Sequence, residues 1–153
     1  MFFLALNGAL AVPTVVYGTE IAAGILVKRK PNQAIAVRRP SVAIVVPAHN
    51  EEDNIGGTIA ALLPQLADGD RVVVVADNCE DRTAAIARAA GVEVVERYDT
   101  QKRGKGYALD AGVAHVAKNP ADCLVILDAD CRLSDGSIDM LARQVGKRLE
   151  HRL

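Results

Sequence analysis

The sequence predicts a three-layer α/β domain on a mostly parallel sheet, preceded by one N-terminal membrane helix. Three observations carry this. Short Val- and Ile-rich runs alternate with helical patterns from Ser41 onward, as successive βαβ units require. Each apolar run ends in a polar cluster, so parallel strands would bring those clusters to one sheet edge. Residues 2–27 are mostly apolar and are followed by Lys28-Arg29-Lys30.

That first stretch is long enough to cross a bilayer's hydrocarbon core. No Lys or Arg precedes it, so it lacks the basic start of a cleaved signal peptide. The expected organisation is a membrane anchor over 1–27, a basic linker over 28–40 and the α/β domain over 41–153. The cations at 28–30, with Arg38 and Arg39, place that domain on the cytoplasmic side of the plasma membrane. Pro13 is a kink point, and Glu20 needs a partner in lipid. The competing expectation is a buried helix docked on the domain.

Val42 to Val46 reads as the first strand, ended by Pro47. A helix follows, with Ile55, Ile59, Leu62, Leu63 and Leu66 on one face. Pro64 should kink or end it. Val72 to Val75 is a second strand leading into Asp77. Thr83 to Ala90 is an alanine-rich helix closed by Gly91. Val92 to Val95 is a third strand, followed by a basic, glycine-spaced loop from Arg97 to Gly106. The next helix runs to about Lys118, with Leu109, Val113 and Val116 aligned. Cys123 to Leu127 is a fourth strand, apolar enough to be covered on both faces. A last amphipathic helix carries Leu141, Val145 and Leu149.

Composition narrows the function. The net charge is −1 and aromatics are 3% of residues, so nucleic acid finds neither a basic field nor stacking surfaces. Cys79, Cys123 and Cys131 show no CxxC spacing, which fits a reducing compartment better than a disulfide framework or a zinc site.

The polar clusters hold the chemistry. His49-Asn50-Glu51-Glu52 follows the first strand, and Asp77 to Asp81 follows the second. Asn50, Asp53 and Asp81 have a plain alternative as helix caps. Asp77 stands at the strand end, where a carboxylate can accept hydrogen bonds from a base or ribose. In Lys102-Arg103-Gly104-Lys105-Gly106 the cations suit phosphate oxygens, and glycine allows close backbone approach. Asp128 and Asp130 end the fourth strand. Two adjacent carboxylates repel unless a cation lies between them, and a hard divalent ion bound to phosphate is the usual answer.

A strand ending in DxD also occurs in haloacid-dehalogenase-type phosphatases, where the first carboxylate is the nucleophile. There the motif lies on the first strand and needs groups well downstream. Here it lies on the fourth, and that assignment is rejected. No G-x-G-x-x-G follows the first strand, so a dinucleotide-binding fold has little support.

In this order the clusters resemble the family 2 glycosyltransferases, inverting enzymes with a GT-A fold. The likeness rests on VAIVVPAHNEEDNI (42–55), VVVVADNCEDRT (72–83), RYDTQKRGKGYALDAG (97–112) and VILDADC (125–131). The membrane segment resembles the membrane-bound branch that builds polysaccharides. The resemblance implies a nucleotide-sugar donor, a UDP-sugar by preference, and a glycan or lipid-linked acceptor. It implies that Pro47 and Glu51 line the nucleotide pocket and that Asp77 bonds the uracil. Arg103 and Lys105 would face the diphosphate, Asp128 the ribose or sugar, and Asp130 would hold Mg²⁺ or Mn²⁺. Family members carry the catalytic base on an acidic motif well after DxD, followed in processive enzymes by Q-x-x-R-W. This chain has neither, so the base is expected beyond Leu153. Asp135 and Asp139 read as helix-start residues. The competing expectation is a non-catalytic, membrane-tethered nucleotide-binding module.

Overall fold

A computed structural model describes residues 38–150. In chain order they form β1 (Val42–Ala48), α1 (Ile55–Leu62), β2 (Arg71–Asp77), α2 (Thr83–Ala89), β3 (Glu93–Arg97), α3 (Lys105–Val116), β4 (Cys123–Ile126) and α4 (Ser137–Glu150). The expected anchor over 1–27 lies outside the described residues. Among those that are described, no helix is long and apolar enough to cross a membrane.

The four strands form one parallel sheet in the order β3-β2-β1-β4. The chain lays β2 and β3 down on one side of β1, then returns to place β4 on the other. Right-handed crossovers require α1 and α2 on one face and α3 on the opposite face. The core divides accordingly. Val42, Ile44, Val46, Val72 and Val74 pack with Ile55, Ile59, Leu62, Ala87, Ile138 and Ala142. Ala43, Val45, Val73 and Val75 pack with Ala108 and Val116 of α3. Residues alternate between the faces as the pleat dictates, so β1 and β2 are buried on both sides and the three-layer expectation holds.

Pro47 does not end β1; it pairs in register with Val75. The Val45 carbonyl accepts from Leu127 N–H, so Val45 and, two residues on, Pro47 face the β4 side. Pairing on that side stops at Val45 with Ile126. Pro47 therefore lacks an N–H where no partner strand remains to receive one.

Other expectations are corrected by the topology. β4 is an edge strand, and Leu124 and Ile126 are 41% and 49% exposed, because α3 covers β1 and β2 but not this edge. The first helix ends at Leu62 and tightens into a 3₁₀ turn over Leu63–Gln65 around Pro64, which turns Leu63 outward. The core faces of the last two helices mix small residues with one branched residue each. α3 buries Ala108, Gly112 and Val116 while Val113 is exposed. α4 buries Ile138 and Ala142 while Leu141 is exposed; the Leu149 side chain lies outside the described residues. Gly112 shows why small residues are needed: an added Cβ would stand 2.5 Å from Val45 Cγ1 and 2.9 Å from Val75 Cγ2. A helix that close runs back along the sheet with its first turn, at Lys105, beside the carboxyl ends of the strands.

Arg39 is not a free flanking cation. Its Nη1 and Nη2 donate to the two oxygens of Asp70 at 2.9 and 2.7 Å, and its Nε donates to Asp139 at 3.0 Å. The Asp70 side chain is wholly buried, and it also accepts from the N–H groups of Val42 and Ala67. Burial pushes the Asp70 carboxyl up, but the Arg39 fork and the two N–H donors outweigh it and hold the group below the usual carboxylate range. This network ties the end of the expected linker to the sheet edge opposite the polar clusters. Asp139 sits in the first turn of α4 and also bonds Arg143, in keeping with its helix-start assignment.

Candidate functional site

The carboxyl ends of β1 and β4 part at the point where strand order reverses, and such switch points open a crevice. A cavity of about 530 Å³ lies there, lined by Pro47, Glu51, Asp77, Arg103, Lys105, Asp128 and Asp130, together with His49, Asn78 and the small residues Ala48, Gly104, Ala108 and Ala129. All seven residues singled out from the sequence therefore share one hollow.

Each side chain is placed by its element. Leu127 and Ala129 are buried in the core, so the alternation after β4 leaves Asp128 and Asp130 on the cavity wall. The buried Thr58 hydroxyl donates to the Ala129 carbonyl at 2.5 Å, holding the peptide between the two acids. After β1 and β2 the chain turns sharply at Asn50 (φ 55°) and Asn78 (φ 52°), a left-handed conformation that Asn tolerates. The two turns are stitched together. Asn50 Oδ1 accepts from Glu80 N–H at 2.8 Å, and His49 Nδ1 lies 2.7 Å from the Asp77 carbonyl oxygen. Glu51 N–H donates to Thr83 Oγ1 at 2.8 Å, and that hydroxyl donates to Asp81 at 2.6 Å.

The capping alternatives divide. Asp81 accepts from the Thr83 N–H at the start of α2. Burial pushes its carboxyl up, but the Thr83 hydroxyl and N–H donors outweigh that and hold it low. The residue before α1 is Asn54, with no side-chain cap, so Asp53 does not serve as one.

Asp77 is buried, and its Oδ1 accepts from Arg97 Nη1 at 2.6 Å and from Asn78 Nδ2 at 2.9 Å. Arg97 was expected in the basic loop but closes β3 in register with Asp77. On the cationic side, the Lys105 ammonium contacts the Asp128 carboxylate. Arg103 is exposed on the cavity rim and has no ion-pair partner among the described residues. Donor atoms of Asp128, Asp130 and Cys131 lie within 4.8 Å of one another. Two carboxylates at that spacing suit a hard divalent ion, and the adjoining thiol is the softer member of the set.

The sequence pointed to neither Arg97 nor Thr58 as a site residue. Arg97 read as one more loop cation, and its signal was its register opposite Asp77. Thr58 carries no signal, since nothing in sequence links a helix hydroxyl to a carbonyl 71 residues away.

Residues 43–149 match the model of the glycosyl transferase family 2; the chain belongs to this family. It is 33% identical over 124 residues to the 4,4'-diaponeurosporenoate glycosyltransferase of Staphylococcus aureus (strain bovine RF122 / ET3-1), over 76% of this chain and 32% of that protein. The fold is similar to glucosyl-3-phosphoglycerate synthase from Mycobacterium tuberculosis in complex with uridine diphosphate (TM-score 0.53, 27% identity, 63% of this chain and 36% of that one). It is similar also to that enzyme with Mn²⁺, uridine diphosphate and glucosyl-3-phosphoglycerate (TM-score 0.51, 26% identity, 61% and 36%). The chain thus spans about a third of the length of these relatives.

Proposed function

We propose that this chain is the donor-binding portion of an inverting glycosyltransferase that takes a nucleoside-diphosphate sugar, in particular a UDP-sugar, and delivers the sugar to a glycan or lipid-linked acceptor. One observation carries the proposal: an acceptor carboxylate, two cations and an acid pair converge on one cavity at the switch point. Each matches one part of a nucleotide sugar. Asp77 keeps Oδ2 for an N–H of the base. Arg103 and Lys105 offer N–H donors to phosphate oxygens. Pro47 and Glu51 line the nucleoside side, and Asp128 faces the ribose or sugar.

Asp130, with Asp128 and Cys131 beside it, is the group that would hold Mg²⁺ or Mn²⁺. Bound there, such an ion would neutralise charge developing on a departing diphosphate. Lys105 has a matching part: its ammonium now balances Asp128, and an arriving diphosphate offers it a stronger anionic partner. The solved relative that holds Mn²⁺ and uridine diphosphate supports both choices.

A membrane anchor over 1–27, with the domain on the cytoplasmic side of the plasma membrane, belongs to the same proposal. The apolar run and its flanking cations support it, and a lipid-linked acceptor would be met there.

Calorimetric titration of the chain with UDP, with and without Mn²⁺, tests the proposal. Binding is expected to require both UDP and the metal and to be lost in Asp130→Ala. Absence of binding, or binding indifferent to Asp130→Ala, would refute it.

A further inference from the structure

The proposed site contains a buried ion pair that donor binding alone does not explain. Arg97 carries a guanidinium 16% exposed, yet it does not line the cavity. On one side its Nη1 holds Asp77 Oδ1 at 2.6 Å. On another its Nη2 reaches Asp99 Oδ2 at 3.4 Å. Its guanidinium carbon lies 5.4 Å from the centroid of Tyr107, in the first turn of α3. Asp99 is itself fixed: its Oδ1 accepts from the N–H groups of Gln101 and Lys102, and its own N–H donates to Asn78 Oδ1. Those donors hold the Asp99 carboxyl below its usual range, the Lys102 N–H foremost. Arg97 is thus clamped between two carboxylates and a ring.

The consequence falls on Asp77. Arg97 and Asn78 both donate to Oδ1, and Oδ2 has no protein donor among the described residues. A carboxylate gripped by one oxygen from two directions cannot rotate freely, and its second oxygen stays presented. A guanidinium does this better than an ammonium, because its planar fork fixes direction as well as charge.

We propose that Arg97 is a positioning residue for donor recognition: it acts through Asp77, orienting Oδ2 as the acceptor for an N–H of the nucleobase. The inference rests on the nucleotide-sugar reading of the cavity. It assigns Arg97 to the base end of the ligand, not to the phosphates, although Arg97 lies in the same sequence stretch as Arg103 and Lys105.

The test separates the two ends of the ligand. Calorimetry on the full chain with Mn²⁺ compares UDP with inorganic pyrophosphate for wild type, Arg97→Met, Arg97→Lys, Asp77→Asn and the Arg97→Met/Asp77→Asn double variant. Arg97→Met should weaken UDP binding about tenfold, the scale of one charge-assisted hydrogen bond. Pyrophosphate binding should stay within about twofold, and Arg97→Lys should recover part of the UDP affinity. In the Asp77→Asn background, Arg97→Met should cost less than about twofold more, as expected when one residue acts through the other.

Unchanged UDP affinity in Arg97→Met would overturn the inference. So would equal losses for UDP and pyrophosphate, or losses that simply add in the double variant. Thermal unfolding checks each variant. If Arg97→Met does not fold, Arg97→Lys must show the same UDP-only loss at about threefold, and an equal loss for both ligands would overturn the inference. Wild-type protein that binds pyrophosphate but not UDP would refute the nucleotide reading and this inference together. UDP binding untouched by Arg97 refutes the inference alone.

Discussion

Gly112→Ala should destabilise the domain, although alanine is the better helix former. The new Cβ would stand 2.5 Å from Val45 Cγ1 and 2.9 Å from Val75 Cγ2. Both valines are fully buried on the two central strands, and their branched side chains are stiff. Relief must therefore come from moving α3 off the sheet. Overpacking costs about 1–3 kcal/mol, and two such contacts put this site at the upper end, about 3 kcal/mol. Helix propensity returns about 1 kcal/mol. The net loss is about 2 kcal/mol, or roughly 8 °C in Tm for a domain of this size. Thermal unfolding followed by circular dichroism measures it. Gly57→Ala is the control, because a Cβ there meets nothing within 4 Å and should add about 1 kcal/mol of stability. α3 also carries Lys105 at its first turn, so Gly112→Ala should weaken UDP binding as well. A Gly112→Ala protein as stable as wild type would refute the close-packing argument.

Thr58→Val removes the donor to the buried Ala129 carbonyl. It should cost about 1–2 kcal/mol in urea unfolding and loosen the acid pair, weakening Mn²⁺ affinity about tenfold in an electron paramagnetic resonance titration. Arg39→Ala leaves the Asp70 carboxylate buried without its cation and should cost about 3 kcal/mol in the same unfolding assay. Asp70 also sets a pH dependence. Its folded pKa lies below its unfolded value of about 3.9. Its stabilisation is therefore complete above that unfolded value and is lost as pH falls through the folded one. Tm should drop on acidification below about pH 4, and less steeply in Arg39→Ala, where the depression is relieved.

The sequence exposed the strands and the site more fully than it exposed the packing. Strand identity and the convergence of Asp77, Arg103, Lys105, Asp128 and Asp130 followed from alternation of apolar runs with polar ends, and parallel topology does the rest. Helix faces were harder. Val113 and Leu141 attracted the assignment because they are large, whereas the sheet lies so close to α3 that Ala108 and Gly112 face it, with Val116 of the expected set buried beside them. β4 looked doubly buried because Leu124 and Ile126 are apolar, but composition does not say which strand lies at an edge. Pro47 seemed a strand terminator, but a missing N–H matters only where a partner strand waits, and pairing with β4 stops two residues earlier, at Val45. Arg97 and Arg39 read as free cations for one shared reason: their partners Asp77 and Asp70 are 20 and 31 residues away, and only the fold brings them together.

On the proposed function, the cavity at the switch point holds a nucleoside diphosphate and a divalent cation side by side. The most direct test of this is an anomalous difference map, collected near the manganese absorption edge, from crystals of this chain grown with UDP and Mn²⁺. One peak is expected, bonded to Asp130 and to the diphosphate, with the uracil against Asp77. A nucleotide bound elsewhere, or a manganese peak remote from Asp130, would contradict it.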